Sequence, residues 1–111
     1  MTTSTRQRVF PHHLLVIDDK VDLLASLKSL LEIHGFRVST ATSTELALDT
    51  LRKSNFDLVL LDEMMPGMDG LEAARIIRDP GSPVLRHDVP IIAVTAHAMS
   101  VDRQRCLRAG M

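Results

Sequence analysis

The chain has 111 residues, 45% hydrophobic and 24% charged, which is enough for one domain with a core and too apolar to be disordered by composition. Its 13 Lys and Arg against 14 Asp and Glu leave a formal net charge of −1, so neither nucleic acid nor a membrane surface is expected as the main partner. With 3 Phe and no Trp or Tyr it lacks a base-stacking platform, and the single Cys106 excludes an internal disulfide and fits a reducing, cytoplasmic setting.

Residues 1–12 are polar, running through Thr2, Thr3, Ser4, Thr5, Arg6, Gln7 and Arg8, and read as a flexible leader or linker. They lack the apolar core of a signal peptide, and no apolar run anywhere in the sequence approaches the ~20 residues of a membrane span. His12-His13 could be a metal pair, but ordinary linker residues are the better reading.

From His13 onward, strand and helix patterns alternate. Residues 14–17 are a short apolar run, read as a buried strand. Residues 20–34 place Leu23, Leu24, Leu27, Leu30 and Leu31 at helical spacing, with Gly35 as the stop. Residues 36–40 alternate as a half-exposed edge strand. Thr42-Ser-Thr-Glu45 has the form of a capping box, a hydroxyl at the N-cap and a carboxylate three residues on, opening a helix with Leu46, Ala47, Leu48 and Leu51. Residues 57–61, Asp57 followed by Leu-Val-Leu-Leu, read as a third strand, apolar and buried.

Asp69 is expected to cap a third helix bearing Leu71, Ala74 and Ile77, which Pro80 stops. After a loop with Gly81, Ser82 and Pro83, Val89–Thr95 reads as a fourth strand, with Pro90 tolerated near its start. Residues 98–109 read as a fourth helix ending at Gly110. Strands alternating with helices imply an α/β fold, a parallel sheet with right-handed crossovers and helices on both faces.

The chemistry lies where the strands end. The first apolar run closes on Asp18-Asp19, the third on Asp62 and the fourth on Thr95. In an open parallel sheet those ends share one edge, which is where ligands bind. Three carboxylates brought together cannot all ionise cheaply without a counter-charge. A hard divalent cation supplies one while needing only one or two carboxylates, which leaves another free as a nucleophile. The competing structural reading makes Asp18 or Asp19 a helix cap and Asp62 the start of a turn. It accounts for the three together poorly.

Bland readings prevail elsewhere. Met64, Met65 and Met68 are better explained by turn packing around Pro66 than by soft-metal binding. Gly67 and Gly70 supply turn freedom, His97 is a loop residue at the edge of the site, and Cys106 is a small apolar helix residue.

Several motifs in order resemble one family. These are Asp18-Asp19, Asp62, Met65-Pro66-Gly67-Met68-Asp69-Gly70, Pro90-Ile-Ile-Ala-Val-Thr95-Ala96 and Ala109-Gly110-Met111. From about His13 to Met111 the chain resembles a response-regulator receiver domain of two-component signalling. The resemblance implies a three-layer, doubly wound, flavodoxin-like fold with strand order 2-1-3-4-5. It implies that Asp62 accepts a phosphoryl group from a histidine kinase or histidine phosphotransfer domain. It also implies a site for Mg²⁺ (or Mn²⁺) held by Asp19, Asp62 and the Met64 main-chain carbonyl, with Asp18 acting through a water. Thr95 would hydrogen-bond the phosphoryl oxygens, and Ala96 would be the small neighbour that leaves them room.

The parent resembles a hybrid sensor kinase, with a stand-alone or N-terminal response-regulator receiver as the runner-up. Receiver domains continue past the Ala-Gly-Met segment into a fifth strand bearing a Lys-Pro and then a fifth helix, whereas this sequence stops at Met111. That Lys has no counterpart here by sequence position, since Lys20, Lys28 and Lys53 are expected to lie elsewhere. The expectation is a fragment of a longer protein. Completion by a partner chain, as a homodimer or domain swap, is the alternative.

Two other function classes are weighed against the phosphoacceptor. A degenerate, phosphorylation-independent interaction module is favoured by the absent Lys and disfavoured by the intact Asp18, Asp19, Asp62 and Thr95. A small phosphatase is disfavoured because Met64 stands where such hydrolases commonly place a second Asp as general acid.

Overall fold

The computed structural model describes residues 12–62, 70–94, 108 and 110. In chain order the elements are β1 (His13–Ile17), α1 (Val21–Ile33), β2 (Arg37–Ala41), α2 (Thr44–Lys53), β3 (Leu58–Asp62), α3 (Gly70–Arg78) and β4 (Ile91–Val94). The strands pair in parallel in the order β2-β1-β3-β4. This is the expected doubly wound order: the chain moves from β1 outward to β2, then returns across β1 to β3.

The core follows the two-residue period of the strands. Leu15, Ile17, Val59 and Leu61 join Ala47 and Leu51 of α2 and Leu71, Ala74 and Ile77 of α3 in the larger cluster. Val16 and Val38 join Leu24, with Leu27, Leu31, Phe36 and Leu60 against them, in the smaller one. Helices therefore cover both faces, which is why β1 and β3 are apolar on consecutive residues. Fully burying each Val, Leu or Ile of these clusters contributes about 1.5–3 kcal/mol. The wider leucine stripe read for α1 narrows on folding. Leu24, Leu27 and Leu31 pack on the sheet, whereas Leu23 and Leu30 remain exposed.

The stop of α1 is the one expected, with its geometry resolved. Gly35 has φ +93, where a Cβ would be strained. Its N–H donates to Glu32 O at 3.0 Å while the Phe36 N–H donates to Leu31 O at 3.2 Å. That pair of reversed bonds, with Phe36 and Leu31 in one apolar cluster, closes the helix end.

Most element boundaries shift by one or two residues from the sequence reading, and three of the shifts have structural consequences. The N-cap of α2 is Ser43 rather than Thr42: Ser43 is extended and its Oγ accepts the Leu46 N–H at 3.2 Å. Glu45 then stands one position too early to complete the box. β3 ends one residue later than read, so Asp62 belongs to the strand. β4 begins at Ile91, not Val89. The Val89 carbonyl accepts from Arg78 Nη1 at 2.6 Å, while the Pro90 carbonyl takes the Val59 N–H at 2.9 Å and starts the ladder.

The capping role read for Asp69 and most of the helix read over 98–109 lie outside the described residues. Arg108 is helical, and Gly110, at φ +97, has the conformation of a helix stop. Among the described residues no helix is long and apolar enough to cross a membrane.

Candidate functional site

The site sits where β1 and β3 adjoin at their carboxyl ends, the crevice between the strand that leads to α1 on one face and the strand that leads to α3 on the other. The register pairs Ile17 with Leu61, so the next residue of each strand, Asp18 and Asp62, arrives at the same level. The Asp18 N–H still bonds to Ala41 O at 3.1 Å, holding its backbone to the sheet edge. Asp19 follows in the turn, and α1 starts at Val21.

Asp18, Asp19 and Asp62 each offer a carboxylate oxygen within 4.8 Å of the others. Asp18 is 3% and Asp62 7% exposed, in contrast to the many solvated acidic residues of the helices. Burial pushes the Asp18 carboxyl above its usual range, and the Asp62 charge pushes the same way; the hydrogen bond from the Lys20 N–H, at 2.9 Å, opposes them. A set of hard oxygen donors, crowded and short of water, fits a hard divalent cation.

Lys20 is the residue that the sequence reading misplaced. Its Nζ stands 3.0 Å from Asp62 Oδ2, 3.4 Å from Asp18 Oδ1 and 3.4 Å from Asp19 Oδ1. The hydrogen bond to Asp62, with the charges of Asp18 and Asp62, holds the ammonium above its ordinary pKa. The missed signal was proximity. Lys20 is the N-cap of α1 and makes no side-chain cap bond, so its four-carbon stem is free to turn back over the acids it follows. Lys28 and Lys53 do lie elsewhere, paired with Glu32 and Asp49 on helix surfaces.

The other residues named for the site, Thr95, Ala96 and Met64, lie outside the described residues, as do Met65, Met68, His97 and Cys106. Val94, the residue before Thr95, is the register partner of Asp62. His12 and His13 belong to the opposite end of the sheet. There His12 Nδ1 lies 3.6 Å from Asp57 Oδ2, and the His13 N–H donates to the same oxygen at 2.7 Å.

Comparison with known proteins shows the family. The response regulator receiver domain family matches residues 14–111. Over 97 residues, 87% of this chain, the sequence is 37% identical to the sensor histidine kinase GacS of Pseudomonas protegens. Over the same share it is 39% identical to the transcriptional regulatory protein CpxR of Escherichia coli. The chain spans only 11% of the first relative and 39% of the second. Among solved structures, the receiver domain of the sensor histidine kinase PA1611 from Pseudomonas aeruginosa superposes with a TM-score of 0.77 at 31% identity, covering 92% of this chain and 81% of that one. That structure has a magnesium ion coordinated in its active-site cleft.

Proposed function

The chain belongs to the response regulator receiver domain family of two-component signal transduction, and on that premise we propose that Asp62 is its phosphoacceptor. The observation that carries this reading is the position of Asp62: nearly buried at the end of a central strand, level with Asp18 and in one cluster with Asp19.

In the reaction, an Asp62 carboxylate oxygen attacks the phosphorus of a phosphohistidine on a histidine kinase or phosphotransfer domain. The O–P bond of an acyl phosphate forms as the N–P bond breaks. The imidazole leaves with the electron pair of that bond. Such transfers depend on in-line positioning and charge neutralisation more than on covalent help. The strand fixes the Asp62 backbone, and its low exposure limits the water that competes for the acyl phosphate.

Asp19 and Asp62 would hold Mg²⁺ (or Mn²⁺) directly, with the Met64 main-chain carbonyl, and Asp18 would act through a water. The ion, when bound, neutralises the charge on the transferring phosphoryl oxygens. Thr95, next along the chain after the register partner of Asp62, would hydrogen-bond the new phosphoryl group, with Ala96 leaving it room. The added charge of about −1.5 to −2 would then bias a two-state loop toward a partner or output.

In this reading residues 13–111 are the receiver unit, residues 1–12 are a linker, and the domain works in the cytoplasm. Receiver domains are signalling domains. Met64 at the place of a second general acid further supports a phosphoacceptor over a phosphatase with turnover.

The test is intact-mass analysis after incubation with acetyl phosphate and Mg²⁺. One added phosphoryl mass, lost in hydroxylamine and absent from Asp62→Asn and from an EDTA control, is the expected result. An unchanged phosphoryl gain in Asp62→Asn would overturn the assignment.

A further inference from the structure

We infer that Lys20 is a tethered competitor for the divalent cation: its ammonium takes the place among Asp18, Asp19 and Asp62 that the ion takes, so the ion enters only as Lys20 swings out. The inference rests on the reading of this crevice as a cation site.

The geometry supports it in three ways. First, a single Nζ lies at 3.0 to 3.4 Å from one oxygen of each of the three carboxylates, the same three that offer ligand atoms within 4.8 Å of one another. A point charge that close to all three stands in the shared space between them. A second cation there would meet the ammonium at close range and repel it.

Second, the burial of the partners is unequal. The Lys20 side chain is 59% exposed, whereas those of Asp18 and Asp62 are 5% and 9% exposed. Asp19 is intermediate at 32%, but Asp18 and Asp62 cannot turn away to solvent, and the lysine can. The compact, strongly hydrated ammonium on its flexible stem leaves such a site without a rearrangement of the fold.

Third, the backbone of Lys20 is pinned. Its N–H donates to Asp18 Oδ1 at 2.9 Å, and its carbonyl accepts the Leu24 N–H at 3.0 Å in the first turn of α1. Whether in or out, the side chain stays within reach. Ordinary surface ion pairs contribute little, but here two of the acids it neutralises, Asp18 and Asp62, are nearly buried at the sheet edge.

The test compares Mg²⁺ affinity by isothermal titration calorimetry, a readout independent of phosphorylation, in the wild-type chain and in Lys20→Met, Lys20→Gln, Lys20→Arg and Lys28→Met. Circular dichroism verifies the fold of each. Lys20→Met and Lys20→Gln are expected to bind Mg²⁺ roughly tenfold or more tightly, the scale set by removing one like charge from ion-pair distance. Lys20→Arg, which keeps the charge, and Lys28→Met, which removes a distant one, should stay close to wild type.

A second measurement follows the lysine itself. Mg²⁺ should raise amine-reagent labelling at Lys20 severalfold and leave Lys28 unchanged, as expulsion from the carboxylates requires. Equal or weaker Mg²⁺ affinity in Lys20→Met and Lys20→Gln, with wild-type binding intact, overturns the competition and leaves the cation-site reading standing. No Mg²⁺ binding by any of the proteins overturns both.

Discussion

Lys20 Nζ stands 3.0 Å from Asp62 Oδ2, although 42 positions separate the two residues in the chain. The contact joins the first residue before α1 to the last residue of β3. It exists because the parallel register of β1 and β3 sets Ile17 beside Leu61 and so brings the ends of both strands to one level. A one-residue slip would turn the β3 side chains to the other face and carry Asp62 out of the crevice. The acidic cluster and its counter-charge are thus consequences of strand pairing, and the same pairing supplies much of the core.

Asp18 is held in a position that opposes its own ionisation, so the site costs stability. Asp18→Asn removes the buried charge while its side-chain oxygen can still accept the Lys20 N–H. In EDTA this variant should be more stable than wild type by about 0.5–2 kcal/mol, measured by urea denaturation. The stabilisation conferred by millimolar Mg²⁺ should shrink in the same variant, because one of the cation's partners is lost.

Arg78 fastens three segments together. Its Nη1 donates to His87 O at 2.7 Å and to Val89 O at 2.6 Å, and its Nε donates to Gly110 O at 2.8 Å. Arg78→Ala would leave three carbonyls without this partner and should destabilise the fold by about 2–4 kcal/mol, read from the denaturation midpoint. Arg78→Lys should recover only part of that, since one ammonium cannot reproduce the planar fork.

The cap of α2 can be assigned by mutation. Ser43→Ala removes the acceptor of the Leu46 N–H and should cost about 1 kcal/mol. Thr42→Ala, at an exposed position before the cap, should be near neutral. The reverse order of effects would restore Thr42 as the cap.

His13 predicts a pH dependence. Burial, aided by the Arg37 charge, lowers its pKa below 6.5, and its ring lies 4.2 Å from that of Phe56 with Nε2 at 2.9 Å from Ser39 Oγ. The unfolded chain binds the proton more readily than the folded one. The stabilising contribution is therefore full above pH 6.5 and is lost as pH falls through the lower folded value. Thermal stability should decline as the pH falls from 6.5 to that folded value, and the decline should be shallower in His13→Asn.

The local periods of the chain made the strands, the three described helices and the Gly35 stop legible before folding. Alternation and helical spacing are short-range properties, and a glycine at a helix end is read from its own missing Cβ. Asp18, Asp19 and Asp62 were legible as a site for a related reason. Each ends an apolar run, and parallel strands bring such ends to one edge. What could not be read locally were the choices between near-equivalent neighbours. Thr42 and Ser43 both carry a hydroxyl, and only the path of the chain leaving β2 decides which oxygen meets the Leu46 N–H. Leu23 and Leu30 fit the helical stripe as well as Leu24 and Leu31 do, and only the tilt of α1 on the sheet left them outside.

Sequence alone therefore determined the alternating α/β plan, the acidic residues at the strand ends and the family resemblance, because each depends on residue type at short spacing. Tertiary structure alone decided that Lys20 faces those acids, that Val89 belongs to Arg78 rather than to β4, and how far each carboxylate is cut off from water. Those outcomes depend on strand register and on the reach of long side chains across it. Neither quantity is written in the order of neighbouring residues.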